Sequence, residues 1–283
     1  MENTNKFAAK FKLLHQPSKP LVIPNIWDLS SLNAVASLNA GDDNDKPVKA
    51  IATASWAIAD SMGLRDEDLT FKDNMAAIAR LAPFVRAAGL PFSVDLQDGY
   101  GDRIEEAVAS AVKLGAVGAN IEDSIPSAGF DQGLEGSLYR LDVQVARLKS
   151  ALEAATRSGC PDFVLNARCD VFCLRPAWGP SDPTALHEAV TRGRAYLEAG
   201  ATTVFFWGGR GRGLTRSEVE HLVQELDGRV AVKLDEQAGA LGSAELGELG
   251  VARISVGPGL YRKAMQAIRE WTQNILSGGS MAT

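Results

Sequence analysis

The 283-residue chain has little of what several large protein classes need. Its three cysteines, Cys160, Cys169 and Cys173, are odd in number and lack zinc-ligand spacing, so neither a disulfide framework nor a thiolate metal site is indicated. Its three histidines, His15, His187 and His221, fall in or beside polar helical patterns. That argues against a histidine-rich metal centre and leaves solvated surface roles for all three. No apolar run approaches the roughly 18 residues of a membrane helix, and the opening Met1-Glu2-Asn3-Thr4-Asn5-Lys6 lacks the apolar segment of a secretory leader. A cytoplasmic protein with no membrane partner is expected. Positive charge is not in excess: 29 Lys and Arg stand against 35 Asp and Glu, a net charge of -6. Nothing supplies the broad basic surface that a phosphate backbone requires, so no nucleic-acid partner is expected. No G-x-G-x-x-G follows the first apolar stretch, which removes the main signature of a dinucleotide fold. Gly208-Gly209-Arg210-Gly211-Arg212-Gly213 has the wrong spacing for a phosphate loop and reads as a flexible strand-end loop.

What is present is a steady alternation. Short apolar runs near residues 21–24, 49–53, 91–95, 117–122, 163–168, 203–207, 230–234 and 253–256 read as eight strands. Helical patterns lie between them near 71–88, 104–114, 138–155, 186–199, 217–226 and 244–249, and a last one covers 260–275. Gly89 and Gly115 mark helix ends. Ser30 or Ser31 is positioned to cap a helix reaching Leu38, and Asp102 to cap the helix beginning at Ile104. Eight βα units predict a single closed (β/α)8 TIM barrel over 1–283, with a polar lead-in at 1–20 and a flexible tail at 277–283. An open doubly wound sheet is the alternative. Gly41 to Pro47 reads as a charged surface loop, and Leu174 to Pro183, with Trp178 and three prolines, as a longer one.

The chemistry gathers where strands end. Pro91-Phe92-Ser93-Val94-Asp95-Leu96-Gln97-Asp98-Gly99-Tyr100-Gly101-Asp102 starts apolar and finishes in acids and an amide. Val117 to Ser124 repeats the pattern with Glu122 and Asp123 at its tip. Parallel strands place such tips side by side, on the face that carries barrel active sites. Asn25 and Asp28, Ser55 with Asp66 beyond, and Asn166 with Arg168 join them from the other strands. Asp95 and Asp98 could equally serve the turn, but the paired acidic tips favour a hard divalent cation with oxygen ligands at Asp95 and Glu122. Arg168 could grip a carboxylate through two parallel hydrogen bonds, or form a structural ion pair with Asp170 or Asp123. Trp27 and Trp56 suit a pocket wall or the core, and Cys169 and Cys173 suit the core. Residues 125–137, polar and glycine-rich, read as a mobile loop over the site.

The order and positions of PNIWD (24–28), IATAS (51–55), GLRD (63–66), DLQDGYG (95–101), NIEDS (120–124), NARCDVF (166–172) and SVGPGLYR (255–262) carry a resemblance. The chain resembles the isocitrate lyase/phosphoenolpyruvate mutase superfamily over nearly its whole length, in particular its carboxyvinyl-carboxyphosphonate phosphorylmutase-like subgroup. The resemblance implies a Mg²⁺- or Mn²⁺-dependent barrel acting on a small carboxylate substrate through a pyruvate-type enolate. It implies Asp95 as the direct metal ligand, with Asp66, Gln97 and Glu122 completing the metal site. Arg168, Asp95 and Glu122 are the implied catalytic residues, and Ser55, Trp56, Tyr100, Gly101, Asn166 and Arg168 the implied substrate-binding ones. It further implies a homo-oligomer, dimer or tetramer, that exchanges the last helix, Leu260–Ile275.

Two departures qualify it. Gln97 stands where the family carries a second acid. The loop Ser124-Ile125-Pro126-Ser127-Ala128-Gly129-Phe130 lacks both the Lys-Cys-Gly-His-like motif of the isocitrate-type lyases and the lysine and asparagine of the mutase. The expected activity is therefore a lyase cleaving a C–C bond of a 2-oxo or 2-hydroxy dicarboxylate, as an oxaloacetate decarboxylase or an alkylmalate/methylisocitrate-type lyase. The alternatives are a C–P bond enzyme acting on phosphonopyruvate and a catalytically inactive oligomeric member.

Overall fold

The computed structural model describes residues 2–41, 46–175, 181–209 and 211–281. Part of the 41–47 loop, Trp178, Arg210 and the last two residues of the expected tail lie outside them. Among the described residues nine strands form one all-parallel sheet: β1 Leu21–Ile23, β2 Asn25–Ile26, β3 Ile51–Thr53, β4 Phe92–Asp95, β5 Gly118–Glu122, β6 Val164–Arg168, β7 Thr203–Phe206, β8 Val230–Lys233 and β9 Arg253–Ser255. Eight strands were expected, and the ninth arises at Pro24. Proline has no N–H to give to a ladder, so the first strand breaks there. Its first half pairs with β9 and its second with β3. The spatial order β1-β9-β8-β7-β6-β5-β4-β3-β2 thus has its two ends joined by one residue, which closes a barrel of eight positions.

Asn25 staples this seam. Its Nδ2 donates to the Thr53 carbonyl at 2.7 Å, and its Oδ1 accepts from the amides of Val256 and Gly257 at 3.1 and 2.8 Å. One carboxamide therefore ties the broken first strand to its neighbours on both sides.

The helices are α1 Glu2–Leu13, α2 Leu29–Ala36, α3 Ser55–Ser61, α4 Phe71–Ala87, α5 Ile104–Leu114, α6 Gly133–Ser137, α7 Leu141–Arg157, α8 Pro183–Glu198, α9 Arg216–Glu225, α10 Ser243–Glu248 and α11 Gly259–Leu276. The barrel core is aliphatic, with Ile23, Ile51, Val94, Ile121, Leu165, Val204, Val232 and Ile254 all buried. The lead-in is less polar in effect than its composition suggests. Phe11 of α1 is fully buried, a gain of about 1.5–3 kcal/mol. A Cβ at Gly118 would lie 3.0 Å from the Phe11 ring and 2.7 Å from the Val164 carbonyl, so only glycine lets α1 and β6 approach β5 this closely.

Three local expectations are corrected. The cap of α2 is Asp28, whose Oδ1 accepts from the Ser31 amide at 2.7 Å, while Ser31 Oγ accepts from the Asp28 amide at 3.1 Å. The helix ends at Ala36, short of Leu38. Asp102 caps nothing; Asp98 instead organises that turn, accepting from the amides of Tyr100 and Gly101 at 2.9 and 3.0 Å and from the Tyr139 hydroxyl at 2.8 Å. His15 is not solvated. Its ring packs edge-on against Phe11, its Nδ1 lies 2.9 Å from the Phe11 carbonyl, and burial, reinforced by the Arg253 charge, lowers its pKa to about 3. His187 and His221 are exposed. All three cysteines are free and buried.

Candidate active site

A cavity of about 580 Å³ opens among the carboxyl ends of the strands. One wall carries Ser55, Asp66, Asp95, Gln97, Glu122 and Arg168. Asp95 ends β4 and is held from several directions. Its Oδ2 accepts from the Ser55 amide at 3.0 Å, and its Oδ1 from the Gln97 amide at 3.3 Å and from Asn120 Nδ2 at 3.4 Å. The Asp95 amide itself donates to Thr53 Oγ1 at 2.8 Å. Because the Ser55 amide is committed to Asp95 here, that N–H is already engaged in the structure.

Behind Asp95 runs a directed chain of hydrogen bonds through three strands. The Thr203 hydroxyl donates to Asn166 Oδ1 at 2.7 Å, Asn166 Nδ2 donates to Asn120 Oδ1 at 3.0 Å, and Asn120 donates on to Asp95. Paired register brings these residues together: Asp95 faces Asn120, Asn120 faces Asn166, and Asn166 faces Thr203. Each amide is thereby oriented with its N–H₂ toward the carboxylate.

Gln97 has a left-handed φ of 52° and is buried. Its Nε2 donates to the Asp66 carbonyl at 2.6 Å and to Asp66 Oδ1 at 3.2 Å. An acid could make neither bond while ionised, so the amide at this position ties the loop after β3 to the tip of β4. Burial, with the like charge of Asp95, raises the Asp66 pKa to about 6, against hydrogen bonds from Ser55 and Gln97.

Glu122 and Arg168 are cross-strand partners, Nη1 to Oε2 at 2.6 Å, and Arg168 Nε also meets Asp170 Oδ1 at 2.7 Å. Trp207 Nε1 donates to the same Asp170 oxygen at 2.7 Å. Burial pushes the Glu122 carboxyl well above its ordinary range against the pull of Arg168. Burial disfavours the Arg168 charge, but Asp170 and Glu122 outweigh it and hold the guanidinium protonated. Of the two structural pairings weighed for Arg168, Asp170 is real. Asp123 points to the other face, as consecutive strand residues do, and pairs with Arg192 at 3.2 Å and Tyr196 at 2.7 Å.

Of the expected substrate-binding residues, Ser55, Trp56 and Arg168 line the cavity. Tyr100, Gly101 and Asn166 do not. The Tyr100 hydroxyl accepts from Asn74 at 2.6 Å, the Gly101 carbonyl accepts from Arg147 at 2.8 Å, and Asn166 belongs to the chain behind Asp95. Trp56 lies under Arg262 and against Tyr261, while Trp27 packs on Tyr261 away from the wall. The loop after Glu122 contributes Ile125, Pro126, Gly129 and Phe130 to the cavity, and its second half forms α6.

The opposite wall was not foreseen. Lys233 at the end of β8, Arg253 on β9 and Arg262 on α11 all line the cavity. The signal was available: Lys233 and Arg253 are the charged residues at the edges of two strands that are otherwise uncharged and buried.

Among the described residues no three His, Cys, Asp or Glu side chains converge as a preformed metal cage. The donor set still suits a hard cation held by few direct ligands. Three carboxylates and a carboxamide line one wall, and the mutual repulsion of Asp66 and Asp95 is a charge that a cation would relieve.

A closed parallel barrel with acids, an amide and a clamped arginine at the carboxyl ends of its strands has the layout of a barrel enzyme's active site. The sequence matches the phosphoenolpyruvate phosphomutase family over residues 11–276, and the chain belongs to that family, within the isocitrate lyase/PEP mutase superfamily. It is 30% identical over 270 residues to an uncharacterized protein of Mycobacterium tuberculosis, covering 95% of this chain and 89% of the relative. It is 25% identical over 271 residues to 2,3-dimethylmalate lyase of Eubacterium barkeri, covering 94% and 85%. A crystal structure from Burkholderia cenocepacia J2315, provisionally described as a phosphonomutase, superposes with a TM-score of 0.80 at 35% identity, covering 98% of this chain and all of that one. Among the described residues no helix is long and apolar enough to cross a membrane.

Proposed function

We propose that the protein is a divalent-metal-dependent lyase that cleaves a C–C bond in a small 2-oxo or 2-hydroxy dicarboxylate, by decarboxylating oxaloacetate or by retro-aldol cleavage of a substituted malate. The observation that carries this reading is the joining of Asp66, Asp95, Gln97 and Glu122 with a doubly clamped Arg168 on one cavity wall. The relation to 2,3-dimethylmalate lyase supports it. Asp95 would hold the cation directly, with Asp66, Gln97 and Glu122 around it. A divalent cation, when bound by these residues, would supply polarisation of the substrate carbonyl. Arg168, kept rigid by Glu122 and Asp170, presents its remaining N–H groups to the same oxygen or to the adjoining carboxylate. Ile125, Pro126 and Phe130 exclude water from the carbon that must be reprotonated. Pyruvate release from oxaloacetate or alkylated malates with Mg²⁺ or Mn²⁺ tests the reading. Asp95→Ala should lower the rate about 1,000-fold, and full activity in that variant would sink the idea.

C–P chemistry is the second reading. Lys233 and Arg262 favour it, since they bring to the cavity the cations that the loop after Glu122 lacks. Phosphonopyruvate turnover decides between the two. A homo-oligomer is also proposed, because α11 leaves Ile268, Ile275 and Leu276 exposed; sedimentation would read its size.

A further inference from the structure

Two residues that line the cavity each carry a buried polar atom without a partner. Arg253 is 1% exposed and is the largest of the fully buried side chains. Its Nη1 is buried without a hydrogen bond, and its Nε meets Ser255 Oγ at a long 3.4 Å. Other buried arginines have a carboxylate beside them: Arg168 has Glu122 at 2.6 Å, Arg192 has Asp123 at 3.2 Å, and Arg147, though its Nε is also unpartnered, has Asp98 at 3.6 Å. Ser93, on β4 two residues before Asp95, lines the same cavity, and its Oγ is likewise buried and unpartnered. Strand alternation puts Ser93 on the side of Asp95 and Arg253 on the side of Ser255, so both lie one pleat deeper than the rim.

A buried guanidinium without a counter-charge is unfavourable in a folded protein unless a ligand supplies one. We propose that Arg253 and Ser93 form a floor subsite for a carboxylate, so that the substrate is a diacid held at both ends. One carboxylate lies at the rim near Arg168 and the other lies on Arg253. This rests on the carboxylate-lyase reading above. A guanidinium fork and a hydroxyl are the donors that a carboxylate accepts. A cavity of about 580 Å³ is of small-molecule size. Burial draws the Arg253 pKa down to about 9, against the attraction of Asp95, and an anion beside it would offset that cost of burial.

The test is calorimetry and thermal unfolding of chelator-treated wild type, Arg253→Met, Arg253→Lys and Ser93→Ala. Malonate, succinate and glutarate are titrated, with acetate as the single-carboxylate control. Wild type should bind at least one diacid and gain thermal stability from it, and acetate should do neither. Arg253→Met should weaken diacid binding about tenfold or more, and unliganded it should unfold at the same or a higher temperature, since an unpaired buried charge is gone. Ser93→Ala should weaken binding a fewfold. If Arg253→Met does not fold, Arg253→Lys keeps the charge without the fork and should still bind less tightly than wild type. No diacid binding by wild type, or affinities in the Arg253 variants within about twofold of wild type, would overturn the proposal. Because no turnover is read, these outcomes are separable from a failure of pyruvate release.

Discussion

The two walls of the cavity treat charge in opposite ways. On the wall of β4, β5 and β6 every acidic or basic group is already spoken for: Asp95 by two amides and Asn120, Asp66 by Gln97, Glu122 and Asp170 by Arg168. On the wall of β8, β9 and α11 the cations outnumber their partners. Lys233 and Arg262 share Glu236 at 3.9 and 3.1 Å, and Arg253 has no carboxylate partner. The first wall has its geometry set by hydrogen bonds and by Arg168 before a ligand arrives, yet it holds more acid than base, and Asp66 and Asp95 repel each other. The second is electrostatically unfinished and draws an anion toward the first.

Breaking the ion pairs of the first wall should cost most. Arg168→Met strands Glu122 and Asp170 without their counter-charge, and should lower stability by about 3–5 kcal/mol in denaturant titrations. Lys233→Met on the unfinished wall should shift it by less than about 1 kcal/mol. Equal losses would erase the contrast. Gln97→Glu sharpens it from the other direction. A third ionised group beside Asp66 and Asp95 should tighten Mg²⁺ binding about tenfold by calorimetry, yet lower the melting temperature in chelator because the donor to Asp66 is gone.

The Asp66 carboxyl gives a smaller, pH-dependent effect. Burial and Asp95 raise its pKa from 3.8 to about 6, so between those values the folded chain keeps a proton that the unfolded chain has lost. Its contribution is fully present below the lower value and is lost as pH rises through about 6. The stability of wild type relative to Asp66→Asn should therefore fall between pH 4 and 6 and then level off, as read by unfolding at each pH. The smallest effect is expected at the far end of the hydrogen-bond chain. Thr203→Val should cost about 1 kcal/mol of stability and slow turnover severalfold by loosening Asn166 and Asn120 behind Asp95.

The strand tips were legible because a barrel repeats one simple pattern, and Asp66, Asp95, Gln97, Glu122 and Arg168 do share a wall. What escaped the sequence is what depends on direction. Asp98, Asp123 and Tyr100 lie beside these residues in the chain but point elsewhere, and spacing does not show which neighbour turns inward. Asp28 outcompeted Ser30 and Ser31 because an extended residue one position before the helix can present its carboxylate to Ser31. His15 looked solvated because its neighbours are polar, yet its ring rests on Phe11. Arg253 was read as the start of an apolar strand, and only closure of the ring shows that its side chain has nowhere to go but inward.

Closure has a cost in modularity. With the carboxamide of Asn25 suturing the break at Pro24, the pit is complete only where residues from the start of the chain meet residues from its end. Lesions at the suture, far in sequence from Arg168 or Glu122, should disable the protein by leaving the ring ajar.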